Sequence, residues 1–189
     1  MTTKQILEQI LEVFPQYTET LVKLDVNRVY EDFCYKTRIL KKQGDLEVVV
    51  NTVEYTLPTD FQELVWVKLM NSNTVENTTV VTYRIEGGKI KFFDEYSEDL
   101  TTLPSGATKI RLYYVYIPTD LSALTGSPVI PDMFHEALIE GVYEKYYRRQ
   151  GILQQHGASK QYYKEAVIEG KRYANIDGDK TINITPHYF

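Results

Sequence analysis

Cysteine is almost missing from this sequence. Cys34 stands alone among 189 residues, so no internal disulfide can form, and neither a CxxC pair nor a Cys/His spacing fit for zinc occurs. No run approaches the roughly 18 apolar residues that a membrane span needs. The opening "MTTKQILEQILEVF" carries charge within its apolar stretch and lacks the small-residue cleavage site of a secretory signal. These absences predict a soluble protein made and kept in a cytoplasm, without membrane contact. Positive charge is not in excess either. With 21 Lys and Arg against 26 Asp and Glu, the net charge is −5, which argues against a protein whose main work is gripping nucleic acid phosphates. GxSxG, P-loop and GxGxxG motifs are absent as well.

What is plentiful is tyrosine, with 16 residues against seven Phe and one Trp. An apolar body with a polar tip suits half-wet sheet faces and protein interfaces. A chain of this length makes one domain, or one domain with an insertion, and buries about two thirds of its unfolded surface.

Periodicity divides the chain into helices, strands, helices and a tail. Thr2 and Gln5 fit a capping box, and Ile6, Leu7, Ile10, Leu11 and Phe14 form one helical face that Pro15 closes. Thr18 can cap a second helix carrying Val22, Val26, Val29, Phe33 and Leu40. Lys41 and Lys42 suit its last turn and Gly44 its end, which predicts about 25 residues, or about 37 Å. From Leu46 the period becomes two, and the apolar parity flips at Asn51 and Thr52, where a turn or bulge belongs. "ELVWVKLM" is a further strand. In "VTYRIEGGKIKFF" a Gly87-Gly88 turn would set Glu86 opposite Lys89, Ile85 opposite Ile90, Arg84 opposite Lys91 and Tyr83 opposite Phe92. "TKIRLYYVYIP" is the last strand.

A helix beginning at Pro131 follows, with Phe134, Leu138 and Val142 on one line and Ile139, Tyr143 and Tyr146 on another. After a turn over 151–157 comes a final helix over 158–174. Gly141 and Gly170 each cost about 1 kcal/mol in a helix interior relative to Ala, so each marks a close backbone approach. The fold class is therefore α+β. Helices at 1–45 and 119–174 form a bundle, an antiparallel β subdomain at 46–118 interrupts it, and 175–189 is an extended C-terminal tail.

Several groups imitate chemical sites. "HEALIE" places His135, Glu136, Glu140 and, one turn later, Glu144 on a helix, but a zinc protease needs a second His at position 139, which is Ile139. His135 then reads as a capping or interface residue. "NIDGDKTIN" sets Asn175, Asp177 and Asp179 at alternate positions like a calcium loop. Its glycine comes two residues early, however, and Pro186 stands where the bidentate glutamate belongs. Cys34 lies on an amphipathic helix beside Phe33 and Tyr35 and reads as a small buried residue. The acids of "FFDEYSEDL" read as a solvated loop, although a glycosidase needs only two such carboxylates. Lys145, Arg148 and Arg149 end a helix, where the dipole favours cations, and could also receive an acidic partner. No catalytic residue, metal ligand or cofactor is expected.

Taken together, "YTLPTDF", "YRIEGGKIKFF" and "YYVYIPTDLSALTGSPVIPDMFHEALIEGVYEKYY" resemble the head-to-tail adaptor (connector) proteins of tailed double-stranded DNA bacteriophages. The resemblance covers about 30–175 and is strongest over 113–147. It implies a non-enzymatic virion protein, assembled in the host cytoplasm, that forms a homo-oligomeric ring, typically of twelve copies, under the portal. Such a ring extends the DNA channel and offers a surface to tail, tail-tube or nozzle proteins, while viral DNA passes through the lumen without specific binding. It further implies that the C-terminal segment engages the portal protein, making Ile182, Ile184, Tyr188 and Phe189 the candidate portal-binding residues. Helices apolar on more than one stripe need a neighbour on each side, and Tyr143, Tyr146, Tyr147, Arg148 and Arg149 are the candidate subunit contacts. Another virion ring, such as a tail completion protein, is the nearest alternative. A glycan-binding module using exposed Tyr83 and Tyr96 is a second, and a small hydrolase using Asp94 or Glu95 a third.

Overall fold

A computed structural model describes residues 1–77, 81–94, 96, 100–121 and 126–178, with backbone only for 176–178. The chain divides into two compact units, one of Met1–Leu40 together with the chain from Ile117 onward, the other Lys41–Tyr116. Helices fill the first and antiparallel strands the second. This is the α+β architecture expected.

In the helical unit, α1 (Thr3–Val13) opens with the capping box, Thr2 Oγ1 accepting from Gln5 N–H and Gln5 Oε1 from Thr2 N–H. α2 (Glu19–Thr37) buries Val22, Val26, Val29, Tyr30 and Phe33. A short 3₁₀ turn (Asp132–Phe134) leads into α3 (His135–Gln150), and α4 (Leu153–Gly178) follows at once. Both helix glycines are where helices nearly touch. A Cβ on Gly141 would lie 2.5 Å from Val29 Cγ1, and one on Gly170 2.6 Å from Thr37 Cγ2.

In the sheet unit the strands are β1 (Lys41–Glu47), β2 (Glu54–Thr56), β3 (Phe61–Met70), β4 (Thr82–Glu86), β5 (Lys89–Phe93) and β6 (Lys109–Tyr116). They form two sheets, ordered β1-β6-β3 and β2-β5-β4. Tyr55, Leu57, Leu69, Ile90, Phe92, Ile110, Leu112 and Tyr114 make one core. The β4–β5 hairpin has the expected register at all four pairs. Gly87 and Gly88 sit at φ 58° and 76°, the left-handed pair that the tightest hairpin turn requires. The turn expected near Asn51 is present, with Asn51 at φ 59°, and Tyr55 Oη closes it by donating to the Thr52 carbonyl at 2.9 Å.

Two boundaries differ from expectation. α2 stops at Thr37, where Arg38 takes the left-handed conformation and its N–H bonds to the Cys34 carbonyl. Lys41, Lys42 and Gly44 belong to β1 instead, because that segment pairs with β6 from Lys41↔Val115 to Glu47↔Lys109. Gly44 is there for space: a Cβ would lie 3.3 Å from the Tyr114 ring. At the other end, α4 is longer than 158–174. The break after α3 is confined to Gly151, at φ 72°, and Ile152, whose N–H bonds to the Tyr147 carbonyl. Once started, a helix adds residues without a new nucleation cost, so α4 runs through Asn175 to Gly178.

Candidate functional site on the third helix

The C-terminal half of α3 carries the aromatic and basic residues expected to contact other chains. Phe14, just past α1, lies among its tyrosines. Its ring stacks on Tyr146 at 3.9 Å between centroids and meets Tyr143 and Tyr147 edge-on at 5.0 and 5.3 Å. Tyr143, Tyr146 and Tyr147 share one side of α3 because residues three and four apart do so. Tyr146 is buried and accepts a hydrogen bond from Gln16 Nε2. Tyr143 and Tyr147 are half-buried, and burial, followed by the charge of Glu140, raises both phenols above their ordinary value.

One turn further on, Arg149 and Arg148 part company. Arg148 is exposed. Arg149 reaches α2, donating from both terminal nitrogens to the Asp25 carboxylate at 2.5 and 2.8 Å. Tyr17 donates its hydroxyl proton to the same carboxylate and accepts from Arg149. The Asp25 side chain is 0% exposed and that of Arg149 39%. Burial alone would raise the Asp25 carboxyl, yet the hydrogen bonds from Arg149 and Tyr17, with the charges of Arg149 and Lys145, hold it below the ordinary carboxylate range. Tyr17 moves strongly the other way, through burial and then its bond to Asp25. Asp25 and Tyr17 escaped sequence reasoning. The available signal was a carboxylate on the apolar face of α2, since buried acids come with partners.

The imitated chemical sites are dispersed. His135 is fully buried, its Nε2 bonding the Ile130 carbonyl at 3.1 Å in the proline loop. Burial is the main influence lowering its pKa. Glu136 accepts from the Tyr162 hydroxyl at 3.2 Å, and Glu144 faces His156 Nε2 at 3.1 Å. These groups turn to separate partners, and among the described residues no group of three or more His, Cys, Asp or Glu could hold a metal ion. Cys34 is buried, and burial, then Glu31, pushes its thiol up to about 12. The helical backbone through Gly178 does not form a calcium loop at Asn175 and Asp177; Asp179, Lys180 and Pro186 lie outside the described residues. So do Glu95 and the rest of the acidic loop over 97–99, whereas Asp94 Oδ1 accepts from Tyr96 N–H at 2.9 Å. Tyr83 and Tyr96, the rings considered for sugar stacking, are 47% and 79% exposed. The candidate portal-binding residues Ile182, Ile184, Tyr188 and Phe189 also lie outside the described residues.

The described helices include none long and apolar enough to cross a membrane. No curated protein matches the chain. The SU10 adaptor protein family does match it, over residues 1–181. That span takes in the described helices, both sheets and the Asp25–Arg149 pair, so the chain belongs to the SU10 adaptor proteins, a family of phage head-to-tail adaptors.

Proposed function

We propose that this chain is the subunit of a homo-oligomeric ring, of twelve copies, that docks under the portal of a filled capsid. The ring extends the DNA channel and presents a surface to tail, tail-tube or nozzle proteins. The coarser part follows from the family, whose members are structural virion proteins that associate with portal and tail proteins. The finer part is supported by a second apolar stripe on α2. Leu21, Leu24 and Tyr35 are 37%, 45% and 66% exposed on the face away from the core-facing valines. A helix with apolar residues on both faces is suited to a neighbour on each side. Within this scheme Tyr143, Tyr147 and Arg148 are available for subunit contacts. Tyr146 and Arg149 serve such contacts indirectly, by holding α3 in place.

The net charge of −5 also fits a lumen along which DNA slides, since few cations are offered to its phosphates. Ile182, Ile184, Tyr188 and Phe189 are assigned to the portal, as a segment whose alternating apolar residues can add a strand or fill a groove on another chain. The test is to mix the purified protein with portal and image the product by negative-stain electron microscopy. Twelve-fold rings are expected with the intact chain and none after deletion of residues 179–189. Rings that form undiminished without that segment overturn the tail assignment; particles without rings from the intact chain overturn the ring itself.

A further inference from the structure

The helical unit carries two exposed apolar features of opposite charge character. The first is the outer stripe of α2. At 100° per residue, Leu21, Leu24, Arg28 and Tyr35 fall within a sector of about 60°. Arg28 is exposed at the centre of that stripe and has no ion pair among the described residues. The second is a groove between the start of α3 and α4. Phe134 and Ala137 form its floor, exposed Met133 and Tyr162 its walls, and Glu165 and Glu169 its rim, together enclosing about 220 Å³. Among the described residues Glu165 is bonded only to the neutral Gln161 side chain, at 2.7 Å, while Glu169 shares its charge with Arg172.

These features lie on different sides of the unit. α2 meets α3 and α4 through Val29, Phe33 and Thr37, which press on Gly141, Tyr163 and Gly170, and through Asp25, which pairs with Arg149. The stripe points away from those contacts, and the groove opens on α3 and α4. A surface on one side that fits a different surface on the other produces a heterologous contact, the kind that closes into a ring when its rotation permits.

We infer that the α2 stripe of one copy seats in the α3–α4 groove of the next, with Leu21, Leu24 and Tyr35 covering Met133 and Tyr162 and Arg28 meeting Glu165 and Glu169. The occupant is a second copy of this chain, and the inference rests on the ring proposed above. Charge complementarity favours it over an unrelated apolar partner: the stripe is centred on Arg28, which has no ion pair among the described residues although Glu31 and Asp32 flank it, and the groove is rimmed by Glu165 and Glu169.

Two charge variants test this in the full-length protein, R28E and the double variant E165R/E169R, with folding checked by circular dichroism. Assembly is followed by sedimentation velocity and native mass spectrometry, with and without portal protein. Each variant alone is expected to lose ring formation, association weakening about tenfold or more because like charges now face each other. The decisive sample is the mixture. R28E presents a carboxylate on its stripe and keeps its acidic groove, whereas E165R/E169R keeps Arg28 and has a basic groove. Alternating copies therefore restore an attractive contact at every interface. Rings of strictly alternating composition support the assignment. Rings from either variant alone, or a mixture that stays unassembled while the wild type forms rings, overturn this contact and leave the ring standing. A wild type that never assembles, even with portal, overturns both.

Discussion

Replacing Arg149 by Met removes the cation that neutralises Asp25 while keeping most of the aliphatic stem. Asp25 accepts three hydrogen bonds, two from Arg149 and one from Tyr17, so the substitution leaves a side chain with 0% exposure holding a single donor. Hydrogen bonds to charged groups are worth about 1.5–3 kcal/mol each, and breaking a buried ion pair from one side costs about 3–5 kcal/mol. Because 39% of the Arg149 side chain is exposed, water weakens its share and the lower end applies, about 3 kcal/mol. For a chain of this size that is a fall of about 6–12 °C in Tm. Urea unfolding followed by far-UV circular dichroism measures the loss in the helical unit. Trp66, stacked on Tyr113 at 5.4 Å, reports the sheet unit by fluorescence. The pH dependence supplies the sharper check. In the wild type the Asp25 carboxyl lies below its ordinary value, so its stabilising effect persists until pH falls below about 3.9. In R149M burial dominates and raises the carboxyl, so the penalty is largest at neutral pH and relaxes on acidification towards about pH 4. The neighbouring R148M, at an exposed position, should stay within about 0.5 kcal/mol of the wild type. An R149M loss below about 1 kcal/mol, or one unchanged between neutral pH and about pH 4.5, would refute the assignment of Asp25 as a buried, Arg-neutralised anion.

Features written within a few residues were legible in the sequence. The capping box of Thr2 and Gln5, the Gly87-Gly88 turn and the hairpin register each depend on neighbours along the chain. Gly141 and Gly170 were legible for a different reason: a residue that weakens a helix persists where a side chain cannot fit, and Val29 and Thr37, with the Tyr163 and Phe33 rings beside them, are the obstructing groups. The end of α2 was not legible, because Leu40 continues the helical phase and the ladder that claims Lys41–Glu47 comes from β6, far along the chain. The same distance hid the Asp25–Arg149 pair, whose members are 124 residues apart. Tyr146 shows the limit of periodicity most clearly. Its position on an apolar line predicts that something covers it, but nothing in α3 says whether that cover is a second subunit or, as here, Phe14 and Gln16 of the same chain.

Close packing at Gly141 gives a coupled prediction: G141A should destabilise by about 1–2 kcal/mol, because overpacking against Val29 costs more than Ala gains in helix propensity. In a V29A background the same change should cost less, the Tyr163 ring at 3.2 Å being the remaining obstruction, and a denaturation double-mutant cycle showing no coupling would remove the steric argument. Cys34, with its thiol pushed up to about 12, should resist a thiol reagent at neutral pH in the native protein and react at once in denaturant, because only the exposed thiolate attacks; rapid labelling of the folded chain would contradict its burial. His135 connects the start of α3 to the proline loop through the Ile130 carbonyl, and its folded pKa is lowered, first by burial. The unfolded chain, with His near about 6.5, therefore binds the proton more readily than the folded one. Stability owed to the neutral imidazole is complete above about pH 6.5, declines as pH falls below it, and stops declining once the folded histidine is also protonated. An H135Q variant, which lacks the titrating group, should show a flatter profile of unfolding free energy from about pH 7.5 to about pH 5 than the wild type. Parallel profiles would mean that protonation of His135 is not what the folded helix resists.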